Sequence, residues 1–478
     1  MFKKLLLILL SGFIISSLMS QDLTSTQTLY NLQQCMEIAY KNNPDVKQSE
    51  LSAENARINY DQSKGNMFPT LNAGITHTLY NGRSINPYTN SYIDQSNTAA
   101  SYQLYSSVTL WNGSSLQHYM QQNALSYEAG KMDAQNSRDK LTISLILDYL
   151  TVLSTQEQLN IAEKQVLASK KKVEILELKN NDGAISPSDL YDMKGQLASD
   201  ELTVVTTKNN LESAKLALVQ LMNMPYTKEM QLAPISDGIV PQPYDATVQE
   251  IYDNASKRLA AVKSADLKVA SAEKSIQTVK GQLMPTIYLY GGLYSNYSSA
   301  ATTEQYINST DIATNSYVLL NNVKYTVYST QQNYTSLPLS YGNQISNNLN
   351  SQIGIGLTVP ILNSFLYKNK LRLAKVAEKQ ATVQAQTIKI QLRQAIEQDY
   401  VNLNATYHTY LTLMNQVSYF EQSLHAADVR FAAGAITIVD YVIAKNNYDR
   451  ATINLIAAKY DYILRTKVLD FFQSRSIY

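Results

Sequence analysis

Apolar and polar positions alternate with a period of two in four stretches of the chain. From Phe68 to Tyr80, Leu71, Ala73, Ile75 and Leu79 alternate with Asn72, Gly74, Thr76 and Tyr80. From Tyr102 to Trp111, Tyr102, Leu104, Val108 and Leu110 share one face. Over 285–294, Ile287, Leu289 and Leu293 oppose Tyr288, Tyr290 and Tyr294. Over 351–362, Ile353, Ile355, Leu357, Val359 and Ile361 oppose Gly354, Gly356 and Thr358. Such alternation predicts four strands, and it fits a membrane barrel and a soluble sheet with one buried face equally well. The connections 81–101, with Gly82, Pro87 and Tyr92, and 295–350 are polar and rich in Tyr, Asn, Ser and Thr. The spacing of Tyr317, Tyr325 and Tyr328 leaves room for a further hairpin in the second.

After each strand pair the pattern turns helical. Residues 114–182 hold no Pro and one Gly, Gly130, and residues 364–433 hold neither. About 70 residues at 1.5 Å each make a helix of about 100 Å, a length that calls for coiled-coil or tubular packing. Both long helices end in a matching turn, Gly183-Ala184-Ile185-Ser186-Pro187-Ser188-Asp189 and Gly434-Ala435-Ile436-Thr437-Ile438-Val439-Asp440. Gly suits the position after a helix end, Ser and Thr suit the next N-cap, and Pro187 is tolerated at the new start. Returning helices are predicted over 188–222 and 438–472. Leu29–Lys64 and Thr247–Lys280 each read as one helix ahead of a strand pair.

The chain repeats itself at two offsets. At 216, Ala39, Lys41, Val46, Lys64, Gly65 and Pro69 recur as Ala255, Lys257, Val262, Lys280, Gly281 and Pro285. At 251, Asn112, Asp148, Gly183, Asp189 and Lys194 recur as Asn363, Asp399, Gly434, Asp440 and Lys445. The 35-residue step between offsets marks an insertion in the second copy. Two internal repeats are therefore expected, 21–222 and 248–478, joined by a linker over 223–247 that carries Pro225, Pro234, Pro241 and Pro243.

Lys3 and Lys4 precede an apolar run from Leu5 to Met19, the layout of a signal peptide over 1–20, with a signal anchor as the alternative. The single Cys35 cannot staple an exported fold. A net charge of +1 leaves no electrostatic footprint for nucleic acid. The 35 Tyr against 8 Phe and one Trp suit a sheet with one wet face or a boundary between lipid and water. No segment beyond the leader is apolar enough for a transmembrane helix, so membrane insertion would require a closed barrel. Four strands cannot close one, so several copies would be needed; two, three and four all give an even strand count.

In this arrangement the chain resembles the TolC-like outer-membrane efflux protein family. The most specific match is Ala433-Gly434-Ala435-Ile436-Thr437-Ile438-Val439-Asp440-Tyr441, followed by the turn Gly183–Asp189 and the Pro69-Thr70 and Pro285-Thr286 steps. The resemblance implies a mixed, mainly α fold with long α-helical coiled-coil hairpins and four β-strands per protomer, completing a 12-stranded barrel in a homotrimer. It implies an outer-membrane location in a Gram-negative bacterium, with the barrel in lipid and a periplasmic helical tunnel. The implied partners are a periplasmic adaptor protein and an inner-membrane RND or ABC pump. The turn residues Gly183, Ala184, Ile185, Gly434, Ala435 and Thr437 are the implied adaptor contacts.

The resemblance also places a periplasmic gate. Asp189 matches an entrance Asp and Ser188 its hydroxyl neighbour, whereas Ile436 stands at an expected Arg and Phe431 at an expected Tyr. Asp440 matches the first of two acidic residues, and Ile443 replaces the second. Closure is therefore expected to rest on more apolar contacts. Helix capping is the plainer role for Asp189 and Asp440, and it is compatible with gating.

No catalytic, cofactor or metal site is expected. His77, His118, His408 and His425 are scattered without metal-ligand spacing, and no P-loop or triad is present. The run Lys170-Lys171-Lys172 reads as a solvated helix face. The function expected is a passive exit duct for small molecules or proteins. The alternative is an envelope coiled-coil scaffold with a soluble β-domain.

Overall fold

The computed structural model describes residues 29–85, 90–94, 96–235 and 241–475. The leader over 1–20 and Pro87 lie outside the described residues. In chain order the elements begin β1 (Leu29–Tyr30), α1 (Leu32–Asn42), α2 (Pro44–Gly65), β2 (Thr70–Tyr80), β3 (Arg83–Ile85), β4 (Tyr92–Asp94), β5 (Asn97–Trp111), α3 (Ser115–Asn181) and α4 (Pro187–Leu221). They continue β6 (Gln231–Leu232), α5 (Val248–Arg258), α6 (Ala260–Gly281), β7 (Thr286–Ser298), β8 (Thr302–Leu320), β9 (Val323–Pro338), α7 (Tyr341–Asn347), β10 (Asn350–Thr358), α8 (Leu366–Ala432) and α9 (Ile438–Gln473).

Helix lengths match in pairs. α1 and α5 have 11 residues, α2 and α6 have 22, α3 and α8 have 67, and α4 and α9 have 35 and 36. Capping boxes open α1 (Asn31 with Gln34) and α5 (Thr247 with Glu250). The strand-to-helix joints match too, with positive φ at Gly113 and Ser114 (64° and 61°) and at Ser364 and Phe365 (54° and 60°).

The single helix expected over Leu29–Lys64 is two helices. Pro44 disfavours helical backbone at Asn43, whose ψ is 125°, and the Asn43 side chain then caps α2 by accepting from the Asp45 amide at 2.9 Å. Thr247–Lys280 is also two helices, broken at Leu259 with ψ 134° and no proline.

Contacts divide the chain into two compact units. One comprises Ser52–Lys131 and Ser264–Gln386. It holds an antiparallel sheet in the order β10-β7-β5-β2, so β2 and β10 are open edges. The register sorts the faces. Leu71, Ala73, Ile75, Leu104, Val108, Ile287, Leu289, Ile353, Ile355 and Leu357 share one face. Much of that face is bare, with Ile353 81% and Ile75 73% exposed. A bulge between Thr109 and Trp111 leaves Leu110 unpaired and brings Trp111 opposite Ile287, so the expected alternation ends at Thr109.

The other face is polar and aromatic. Tyr290 faces Gly354 across the ladder and Tyr288 faces Gly356. Their rings lie over the glycines and fill the space a Cβ would occupy. Tyr105 stacks beside Tyr290 at 6.4 Å. The expected loop 295–350 holds the β8–β9 hairpin and α7.

In the same unit α6 meets the start of α3. Ser115 Oγ donates to the Thr278 carbonyl at 2.9 Å. A Cβ on Gly281 would stand 2.7 Å from the Gly113 carbonyl oxygen and 2.8 Å from the Ser115 amide, both backbone atoms. Gly65, its counterpart at offset 216, meets only Gln62 at 3.9 Å. Gly281→Ala is expected to destabilise by about 1–3 kcal/mol through overpacking. Gly65→Ala is expected to be neutral or slightly stabilising. Thermal unfolding of the pair checks this, and equal effects would mean the joint yields freely.

The second unit comprises the described residues of Met1–Leu51, with Met132–Lys263 and Thr387–Tyr478. Its main core gathers Cys35, Met36, Leu145, Ile146, Tyr149, Leu218, Met222, Ile251, Ile396 and Leu469. Burial pushes the Cys35 thiol up to about 12, which leaves it inert toward thiol reagents while folded. A smaller core, Val173, Leu176, Leu190, Met193, Ala427, Ile438 and Tyr441, lies where the α3–α4 and α8–α9 hairpins turn.

Candidate functional site: the turns of the helical hairpins

Both turns begin as the sequence suggests. Gly183 and Gly434 have φ of +70° and +71°. The Ala184 amide donates to the Lys179 carbonyl and the Ala435 amide to the Arg430 carbonyl, each at 2.8 Å. These are Schellman closures, and the left-handed residue between them is least strained as glycine. Ala184 and Ala435 are exposed, which leaves both turns uncovered in the protomer.

The next helices start differently. Ser186 caps α4 by accepting from the Ser188 amide at 3.2 Å, with Pro187 following. Asp189 lies in that first turn, half-buried, with no ion-pair partner among the described residues. Thr437 opens α9 with a full capping box. Asp440 N–H donates to Thr437 Oγ1 at 3.2 Å, and the Asp440 carboxylate accepts from the Thr437 amide at 3.1 Å and its hydroxyl at 2.8 Å. The Thr437 hydroxyl and then its amide hold the Asp440 carboxyl below its ordinary range.

Asp189 and Asp440 line a cleft of about 880 Å³ together with Lys179, Ile185, Arg430 and Ile436. The Arg expected at 436 is absent, but Arg430 brings a guanidinium into the cleft from the last turn of α8, and its charge adds to the lowering at Asp440. Ile436 and Ile185 pack on the smaller core instead. Ile443 is exposed, and Ser188 is exposed beside its cap.

Phe431 also packs on that core, its ring 5.8 Å from Tyr441. Lys172 Nζ sits 5.3 Å from the Phe431 ring and 4.6 Å from the Tyr441 ring, and pairs with Asp428 at 2.5 Å. The solvated face expected for Lys170–Lys172 therefore holds for Lys170 and Lys171 but not for Lys172. Its side chain is only 15% exposed, and it joins α3 to α8 and α9 by ion pairing and cation–π attraction.

Sequence reasoning missed a second polar centre nearby. Lys445 Nζ on α9 binds Asp200 on α4 at 2.8 Å and Asp449 at 2.6 Å. Asp200 also accepts from Ser169 on α3 and from Gln196 at 2.8 Å. Gln196 and Asn446 exchange amide hydrogen bonds at 2.9 and 3.1 Å. Lys445 and Asp200 are buried, so their pairing offsets a large desolvation cost. Burial raises the Asp449 carboxyl above its ordinary range, with Lys445 opposing the shift. Lys194, the counterpart of Lys445 at offset 251, instead makes an exposed pair with Glu177 at 2.7 Å.

A family model described as outer membrane efflux protein matches residues 36–224 and 251–469. The chain is 24% identical to the outer membrane protein TolC of Escherichia coli strain K12 over 474 residues, covering 97% of this chain and 84% of the relative. Its fold is similar to the CmeC outer membrane channel of Campylobacter jejuni, with TM-score 0.73, 16% identity, and 93% of this chain and 87% of that chain covered. It is also similar to the outer membrane protein VceC of Vibrio cholerae, with TM-score 0.71, 14% identity, and coverage of 92% and 94%.

Proposed function

Because this chain belongs to the outer membrane efflux protein family, we propose that it is a passive exit duct in which three copies share one 12-stranded barrel. One observation carries this reading: the sheet β10-β7-β5-β2 has two open edges and a bare apolar face. In lipid an open edge leaves backbone groups unpaired, at several kcal/mol each, so the edges must pair with other copies. The apolar face then meets lipid, and the face of Tyr105, Tyr288, Tyr290 and Tyr294 lines the lumen. The choice of three copies follows the family.

The paired helix lengths and matching joints support two repeats, 21–222 and 248–478, around the linker 223–247. On this reading the α3–α4 and α8–α9 hairpins form the periplasmic tunnel. Their turns, at Gly183–Ile185 and Gly434–Thr437, face a periplasmic adaptor, and an inner-membrane RND or ABC pump supplies the energy. The entrance is held by Phe431, Ile436 and the Lys172–Asp428 pair, with Asp440 at its rim and Asp189 and Ser188 beside it. Ile443 stands on the same helix without a charge.

Extraction and mass measurement test the duct. The protein should leave the membrane only with detergent and weigh three protomers. A folded monomer, or release by salt alone, would support the scaffold instead.

A further inference from the structure

Two ladders of the four-stranded sheet repeat each other residue for residue. β2 meets β5 with Thr70 facing Ser107, Gly74 facing Gln103 and Thr76 facing Ser101. β7 meets β10 with Thr286 facing Thr358, Tyr290 facing Gly354 and Gly292 facing Gln352. Offset 216 carries each of these β2 residues onto its β7 counterpart, and offset 251 carries each β5 residue onto β10. The offsets seen in the sequence therefore hold for strand pairing, without slip.

A third ladder joins the other two. The last strand of the first repeat, β5, lies against the first strand of the second, β7, with Tyr102 facing Ser295, Leu104 facing Leu293 and Ser106 facing Gly291. In a closed ring of copies one joint is left, β10 of one copy against β2 of the next. It too sets the last strand of one repeat against the first strand of the repeat that follows.

We propose that this seam between copies takes the register of the β5–β7 ladder. The inference rests on the shared-barrel reading. Offset 251 puts Ile353, Ile355 and Leu357 in the places of Tyr102, Leu104 and Ser106. Offset 216 puts Leu79, His77 and Ile75 in the places of Ser295, Leu293 and Gly291. The seam is then antiparallel, with Ile353 opposite the next copy's Leu79, Ile355 opposite its His77 and Leu357 opposite its Ile75.

The faces agree with this register. All six of these side chains lie on the bare side of the sheet and are exposed in the protomer. A slip of one residue would turn the apolar side of one strand toward the tyrosine side of the other. A slip of two would keep the faces but change the stagger at the seam alone, whereas closure of a barrel links stagger to strand tilt in every joint. β10 also ends where its counterpart is interrupted. Leu110, left unpaired by the bulge in β5, corresponds to Ile361, and Thr109 corresponds to Pro360. Pro360 has no N–H to give a ladder, and β10 stops at Thr358.

Cysteine pairs in the full chain, oxidised in the native membrane, read the register. Within one copy β2 and β10 are opposite edges of the sheet, about 14 Å apart across the strands, so a disulfide between them must join two copies. Directly opposed residues stand about 4.5–5.5 Å apart at Cα, within disulfide reach, and diagonal ones about 7–8 Å, beyond it. Ile355→Cys with His77→Cys should carry most of the protein into dimers and trimers that a reductant returns to monomers. Ile353→Cys with Leu79→Cys should do the same. Ile355→Cys with Ile75→Cys, or with Leu79→Cys, should give little product, and each substitution alone none, since the native Cys35 is buried. A detergent-stable trimer that crosslinks best through a slipped pair, or through none of these pairs, would overturn the register alone. A monomer in detergent would instead remove the shared barrel, and this inference with it.

Discussion

Lys445→Met should loosen the turn end of the helical hairpins more than any other single change considered. Removing the cation leaves the Asp200 and Asp449 carboxylates facing each other in a site from which water is largely excluded. Breaking one partner of a buried ion pair costs about 3–5 kcal/mol, which is roughly a hundred-fold or greater rise in local opening. Ser169 and Gln196 still donate to Asp200, but Asp449 keeps no cation. Hydrogen exchange or limited proteolysis at α4 and α9 reads the opening. The deficit should depend on pH. Burial raises the Asp449 carboxyl above its unfolded value, so the folded state takes up a proton first. With Lys445 gone, stability should return as the pH falls through that raised value. Asp200→Asn combined with Lys445→Met should recover much of the loss at neutral pH. A deficit that is absent, or flat with pH, would mean that water reaches the site and the charges are screened.

The reason this centre escaped sequence reasoning is distance along the chain. Asp200 and Lys445 lie 245 residues apart, on helices whose polar and apolar positions look ordinary. The internal repeat was misleading as well, since it equates Lys445 with Lys194, an exposed residue with a nearby partner. Burial is a property of the packed helices, and a repeat offset carries no information about it. Lys172 was misread for the same reason: a run of three lysines looks solvated until Phe431 and Tyr441 arrive from 259 and 269 residues away.

Features governed by local chemistry were legible. Gly183 and Gly434 announce the two turns, because a left-handed residue closes a helix there. The strand faces followed from alternation except at two ends: the bulge at Leu110, which no residue in that stretch signals, and the last strand, which stops at Thr358 ahead of Pro360 and leaves Val359 and Ile361 outside it. The break after Asn43 had a cue in Pro44. The break at Leu259 had none, and it is paired with a side chain packed on the main core. The β8–β9 turn had a cue that tyrosine spacing only partly used. Asn321-Asn322, with φ of 46° and 64°, are suited to a two-residue hairpin loop between Leu320 and Val323.

Replacing Asp440 in two ways separates a cap from a charge. Asn at this position keeps a carbonyl oxygen that can accept from Thr437, so the capping box survives in outline while the negative charge is lost. Ala removes both. If three Asp440 carboxylates stand around the entrance of the duct, they gather cations and focus the local potential. Asp440→Asn should then lower cation preference and weaken block by multivalent cations in bilayer conductance, with little change in the melting of the trimer. Asp440→Ala should show the same electrical change and also melt earlier. Acidification should mimic the Asn variant only at low pH, because Thr437 holds the carboxyl below its ordinary range and the charge persists until that lowered value is reached. The cap obeys the same sign: its contribution is present above the unfolded-state value and is lost as the pH falls through the folded one. Arg430, in the same cleft, gives an internal check, since Arg430→Gln should shift selectivity further toward cations. If Asp440→Asn and Arg430→Gln both leave the current unchanged while Asp440→Ala still melts early, Asp440 is a helix cap alone. The narrowest point of the duct would then lie among the apolar contacts of Phe431 and Ile436.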